Sequence, residues 1–294
     1  MTARKSSTGR SPAGFSPIWL VLMGILSVQF GAGVAKAVFD EVAPTTIVWL
    51  RLVTSALVLL AIARPALRGR NRQDWLVVMA FGLTLGVMNW SIYQSFARIP
   101  IGLAVTLEFV GPLTLAVLGS RRARDLIWVG LAGLGVLLLG LQPGDLTWAG
   151  VGFALLAGGC WAAYILLSAQ TGRRWQGIDG LAIASVVAAV LLTPLTLGRY
   201  ADQLSDPRIL VIGALVGLLS SVIPYTCELV ALRTLRPAVF SILMSLEPAA
   251  AALAGFVVLQ ELLQPVQLVA MACVVAASVG ATRSGATISD PVPD

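Results

Sequence analysis

The stretch 86-GVMNWSIYQSFARIPIGLAVTLEFVGPLTLAVL-118 decides the fold, because 221-SVIPYTCELVALRTLRPAVFSILMSLEPAAAALA-254 repeats its plan. Each copy is a polar-aromatic helix, an arginine, and a second apolar helix that carries a proline. Arg98 stands 14 residues before Pro112, and Arg233 stands 15 before Pro248. Trp19 and Trp148 open the first and sixth apolar stretches of the chain, so the repeating unit is five helices long. Five is odd, and a second copy of an odd unit enters a membrane from the opposite side.

Working outward, apolar stretches fall near 18–38, 44–63, 74–96, 102–119, 126–141, 148–167, 180–197, 209–231, 238–259 and 265–282. About 20 apolar residues cross a bilayer as a helix. These ten stretches predict an all-α membrane protein of two inverted five-helix repeats, residues 18–143 and 144–283. Polar tails cover 1–17 and 284–294. A basic start followed by an apolar run, with Ala35-Lys36-Ala37 as a small-x-small site, also imitates a signal peptide. The later counterpart of the first stretch favours a retained helix.

The Lys and Arg residues fall in alternate gaps. One side receives Arg4, Lys5 and Arg10, then Arg64, Arg68, Arg70 and Arg72, then Arg121, Arg122 and Arg124, then Arg173 and Arg174, then Arg233 and Arg236, then Arg283. The other side holds Arg98, Arg199 and Arg208. Such asymmetry in short loops places both termini in the cytoplasm. The net charge of +6 and pI of about 9.8 are therefore topological, and the scattered basic residues argue against a nucleic-acid partner.

Composition agrees: 57% hydrophobic and 12% charged residues leave no room for a sizeable soluble domain. Cys160, Cys227 and Cys273 lie singly in different apolar stretches and read as packing residues, not as a metal or disulfide set. The chain has no histidine, so no metal or other cofactor is expected, and any proton coupling falls to carboxylates.

Inverted repeats characterise secondary transporters, whose substrate site lies near mid-membrane at interrupted helices. Pro112 and Pro248 lack the N–H that would bond the carbonyls of Glu108 and Met244. They mark either packing kinks or such a site, and Pro224 marks a third break. Five charged residues lie within or beside the spans: Lys36, Arg51, Glu108, Glu228 and Glu247. At mid-bilayer each costs at least about 2.5–3.5 kcal/mol, so such residues face a cavity, pair, or carry function. Two bases against three acids leave a carboxylate unmatched in a low dielectric, a place for a coupling proton.

Each candidate has a structural alternative. Arg51 either snorkels, pairs statically with a glutamate, or binds substrate, and Lys36 lies close enough to the surface to snorkel. Glu228 either caps a backbone group freed near Pro224 or touches cargo. Asn89, Trp90, Tyr93 and Gln94 suit interhelical hydrogen bonds as well as ligand contact. Trp161 and Tyr164 either pack or line the pathway. Gly24, Ser27, Gly31 and Ala35 form a small-residue stripe on the first helix, and Gly158 and Ala162 form another on the sixth, both suited to close helix approach.

The segments GAGVAKAVFD (31–40), WLRL (49–52), GVMNWSIYQS (86–95), GLAVTLEFVGPL (102–113), GGCWAAYILL (158–167) and LMSLEPAAAALAG (243–255) resemble the EamA-type branch of the drug/metabolite transporter superfamily. The resemblance runs from about Trp19 to Gly280. It implies a bacterial inner-membrane protein, not an enzyme, that exports small amino acids of the threonine and homoserine kind, with protons as the exchanged ion and alternating access between the halves. An amino acid's ammonium suits Glu108 or Glu247, and its carboxylate suits Arg51 or Lys36. Other metabolites remain alternative cargoes: aromatic amino acids, purines, cysteine-pathway compounds or cationic drugs. An intramembrane enzyme acting on lipid and a passive channel are the readings of a different class.

Overall fold

A computed structural model describes residues 17–118, 126–140, 147–232, 235, 240 and 243–285. Residues 1–16 and 286–294 of the expected tails, and Arg121, Arg122, Arg124, Arg233 and Arg236, lie outside the described residues; the helices at either end include residues 17, 284 and 285. Those described are helical or connecting, with no strand among them. The helices are α1 (Pro17–Lys36), α2 (Pro44–Ala63), α3 (Arg72–Phe96), α4 (Ile101–Glu108), α5 (Val110–Leu118) and α6 (Leu126–Gly140). They continue as α7 (Trp148–Gly172), α8 (Asp179–Tyr200), α9 (Pro207–Gly217), α10 (Ile223–Leu232), α11 (Glu247–Leu259) and α12 (Pro265–Gly285). Among the described residues, six helical segments are long and apolar enough to cross a bilayer: Pro17–Lys36, Pro44–Ala63, Arg72–Phe96, Trp148–Gly172, Asp179–Ser205 and Pro207–Glu228. Four shorter apolar segments accompany them, Ile101–Leu115, Leu126–Leu138, Glu247–Leu259 and Pro265–Gly280.

Local chemistry sets the boundaries. Asn71 and Asp74 form a reciprocal capping box at the start of α3. Pro44 and Pro207 each occupy the first turn of a helix, where the missing N–H costs nothing. The expected fourth span is two helices, because the chain turns at Phe109 between Glu108 and Val110. In the expected eighth span a π-helical turn, Leu218–Val222, joins α9 to α10 just ahead of Pro224. Pro248 differs from expectation. It sits in the first turn of α11, after a turn at Ser245 and Leu246, and not inside a continuous helix. An X-Pro signal has the same sequence form at a helix start and at a helix interior, which is why the two readings exchange.

Packing joins the two parts of the chain. α3 lies on α7 and α8, α2 on α8 and α9, α1 on α10 and α11, α4 on α7 and α11, and α6 on α12. Glycines permit the closest approaches. Gly31 abuts Ser220, and Ser27 donates to Leu219 O at 2.6 Å, so the stripe on α1 rests on the π turn. The core around Ile47, Leu85, Tyr93, Leu103 and Leu107 is fully buried. Large apolar side chains such as Leu57, Leu137 and Val211 face outward, as lipid contact requires.

Candidate functional site

A central cavity of about 160 Å³ lies where both parts of the chain meet. Val28, Gln29 and Ala32 of α1, Arg51 of α2, and Met88, Asn89, Ile92 and Phe96 of α3 form one part of its wall. Val105 and Glu108 of α4, Trp161 and Tyr164 of α7, Ser220, Pro224, Tyr225, Glu228, Met244 and Glu247 complete it. Its size suits a small solute, since drug-sized pockets run to roughly 300–1,000 Å³.

Local backbone breaks build this wall. Glu108 ends α4, and its carbonyl, left without a helical donor by Pro112, packs against Gly158 of α7. A Cβ on Gly158 would lie 2.5 Å from that oxygen, and one on Gly111 would strike the Gly158 carbonyl. Gly158→Ala is therefore expected to lower stability by about 1–3 kcal/mol and to displace Glu108. Thermal unfolding in detergent checks the loss of stability. Pro224 likewise leaves the Ser220 carbonyl without its helical donor, and Arg51 Nη2 donates to that oxygen at 3.0 Å. Arg51 is further held by Ser221 Oγ and the Tyr93 hydroxyl, each at 3.4 Å, and lies 5.6 Å from the Tyr93 ring centre. The π turn thus aims polar groups at one guanidinium, a use common to such turns at functional sites.

The ion pairs among the described residues are Lys36–Glu261, Arg174–Asp74 and Arg208–Glu41, so none of them involves Arg51, Glu108, Glu228 or Glu247. Static pairing of Arg51 with a glutamate is not seen. Within the cavity wall, one arginine faces three glutamates and leaves two negative charges unmatched. The sequence reading of one unmatched carboxylate counted Lys36 in the site, and the structure moves it out.

Lys36 Nζ contacts Glu261 Oε1 at 2.6 Å and donates to Ile99 O at 2.8 Å, while the Ile101 N–H donates to Glu261 Oε2 at 3.0 Å. This latch ties the end of α1, the start of α4 and the connection after α11. Lys36 is one turn beyond Ala32, Ile101 one turn before Val105, and Ile99 three residues beyond Phe96. The latch therefore caps one end of the cavity. Gln260, at φ 58°, provides the left-handed helix stop that turns Glu261 inward, and Gly255 leaves room for its carboxylate.

The other predicted residues separate clearly. Asn89, Trp161, Tyr164, Glu228 and Pro224 line the cavity with Glu108, Glu247 and Arg51. Tyr93 is fully buried behind Arg51 and positions it. Trp90 Nε1 and Gln94 Nε2 both donate to Thr45 Oγ1 at 3.2 Å, the interhelical alternative. Pro112 lines a neighbouring cavity of about 360 Å³ that shares Trp161, Tyr164, Glu228 and Met244 with the central one. Pro248 is buried beside Glu247. Sequence reasoning missed Gln29, Tyr225, the Ser220–Ser221 pair and Glu261. Gln29, a lone amide in an apolar helix, was the one with a visible signal.

A bundle of apolar helices broken around a small polar cavity is the build of a membrane carrier, and the chain belongs to the EamA-like transporter family, whose model matches residues 148–283. Over 279 residues it is 38% identical to the threonine/homoserine exporter RhtA of Salmonella typhimurium (strain SL1344), covering 94% of each chain. It is also 38% identical over 273 residues to the threonine/homoserine exporter RhtA of Escherichia coli (strain K12), covering 90% of this chain and 92% of that one. A solved crystal structure shares the fold with a TM-score of 0.63 at 18% identity, over 92% of this chain and 99% of that one.

Proposed function

We propose that this protein is a secondary transporter that exports threonine- and homoserine-like amino acids across the bacterial cytoplasmic membrane, with protons as the coupling ion. The observation that carries the reading is the convergence of Arg51, Glu108, Glu228 and Glu247 on one small cavity. A zwitterion placed there meets a guanidinium for its carboxylate and acids for its ammonium. Protons on the unmatched carboxyls would balance the cavity when the cargo has left. The exporter named for the relatives supplies the cargo class.

Ten spans in two inverted repeats, 18–143 and 144–283, with both ends cytoplasmic, form the frame of this reading. Packing supports it, because the contacts occur in exchange-related pairs. α1 with α9 and α10 mirrors α7 with α3, and α2 with α9 mirrors α8 with α3. α1 with α11 mirrors α7 with α4 and α5, while α2 with α8 and α6 with α12 map onto themselves. Such a pseudo-two-fold lets one half rock against the other. Basic residues in alternate gaps support the orientation and put the Lys36–Glu261 latch on the outer side.

Purified protein in vesicles is expected to exchange external labelled threonine for internal unlabelled threonine, and absence of exchange would overturn the reading. The latch makes a separate prediction. In a background with Cys160, Cys227 and Cys273 changed to serine, Glu261→Gln should let an external impermeant thiol reagent reach Ala32→Cys about tenfold faster, the effect of ~1.4 kcal/mol. An unchanged rate would remove the latch from the gating scheme.

A further inference from the structure

Gln29 is 2% exposed and lines the central cavity, and its Oε1 is a buried oxygen with no hydrogen-bond partner. A buried amide oxygen without a hydrogen-bond partner is costly, and native proteins retain few of them. Asn89, 3% exposed, lines the same cavity. It uses Nδ2 on the Leu85 carbonyl at 2.8 Å, so its Oδ1 stays available as an acceptor. The cavity therefore offers two kinds of polar contact, the charges of Arg51 and the glutamates, and neutral amides.

We infer that Gln29, with Asn89, recognises a hydroxyl on the side chain of the transported amino acid and so determines specificity. This deepens the transport reading and rests on it. The charged groups already match an ammonium and a carboxylate, neither of which both donates and accepts. A hydroxyl does both, and satisfies a glutamine amide in either orientation. Threonine and homoserine, the cargo in the relatives' name, share the 2-aminobutyrate skeleton and differ in which carbon holds the hydroxyl. The flexible stem of Gln29 can follow that shift. 2-Aminobutyrate itself fits the same volume and leaves the amide unpaired, which is the condition under which a polar site rejects an analogue.

The test is competition against labelled threonine in counterflow, with unlabelled threonine, homoserine and 2-aminobutyrate as competitors. Wild-type protein is expected to prefer both hydroxyl amino acids over 2-aminobutyrate by about tenfold. Gln29→Met, similar in shape and without hydrogen-bonding groups, should lose most of that preference, through weaker competition by threonine and homoserine. A Gln29→Met protein that keeps the wild-type preference overturns the inference. Equal competition by all three compounds in the wild type also overturns it, whether or not the variant folds. Wild-type protein that exchanges no threonine is a distinct outcome, which rejects the transport reading and the inference with it.

Discussion

Arg51→Leu is expected to reduce threonine exchange by about a hundredfold or more. Its guanidinium is the one basic group among the described residues that line the cavity, and it is fixed there by Ser220 O, Ser221 Oγ and the Tyr93 hydroxyl. Removing one partner of a buried charge-assisted contact typically costs about 2–5 kcal/mol, and 1.4 kcal/mol is tenfold. The substitution also removes the positive charge that shares the described cavity wall with three glutamates. Arg51→Lys keeps the charge but not the planar fork that grips a carboxylate in two places, so it should fall between. Exchange by a monodisperse Arg51→Leu protein at the wild-type rate would show that the cargo's carboxylate is held elsewhere.

The second large effect concerns coupling. Glu108→Gln and Glu247→Gln each replace an ionisable group of the cavity with an amide of nearly the same shape. A residue that carries the exchanged proton is needed when a pH gradient drives net movement. It is less needed when threonine exchanges for threonine. Accumulation driven by an imposed pH gradient should therefore fall at least about tenfold in one or both variants, with counterflow less affected. Both variants retaining gradient-driven efflux would remove the carboxylates from the coupling scheme. Glu228, on α10 and in the same wall, is the next acid to replace.

The all-helical membrane fold was readable because lipid enforces simple rules. Apolar length defines spans, basic residues mark gaps, and ionisable groups are tolerated in the membrane only with a reason. Glu108, Glu228, Glu247 and Arg51 stand out in the sequence on that ground alone, and the structure brings all four to one cavity. Lys36 stands out by the same rule, yet it belongs to the latch. Its partner Glu261 is 225 residues away in a turn after α11, and no local pattern signals a contact made only when two distant helix ends meet. Tyr225 and the serines of the π turn were hidden for a related reason. Whether Pro224 frees a carbonyl for lipid, water or Arg51 depends on the helix that packs beside it. Gln29 was legible in principle, since a lone amide within an apolar helix stands out much as a charge does. Its significance lies in an absence of partners that only the folded chain reveals.

The most direct measurement of the central claim is a structure of the protein with threonine bound. The account predicts threonine in the cavity between α1, α3, α7 and α10, its carboxylate on Arg51 and its ammonium toward Glu108, Glu228 or Glu247. Threonine seated outside that cavity, with Arg51 still held by Ser220, Ser221 and Tyr93 alone, would contradict it.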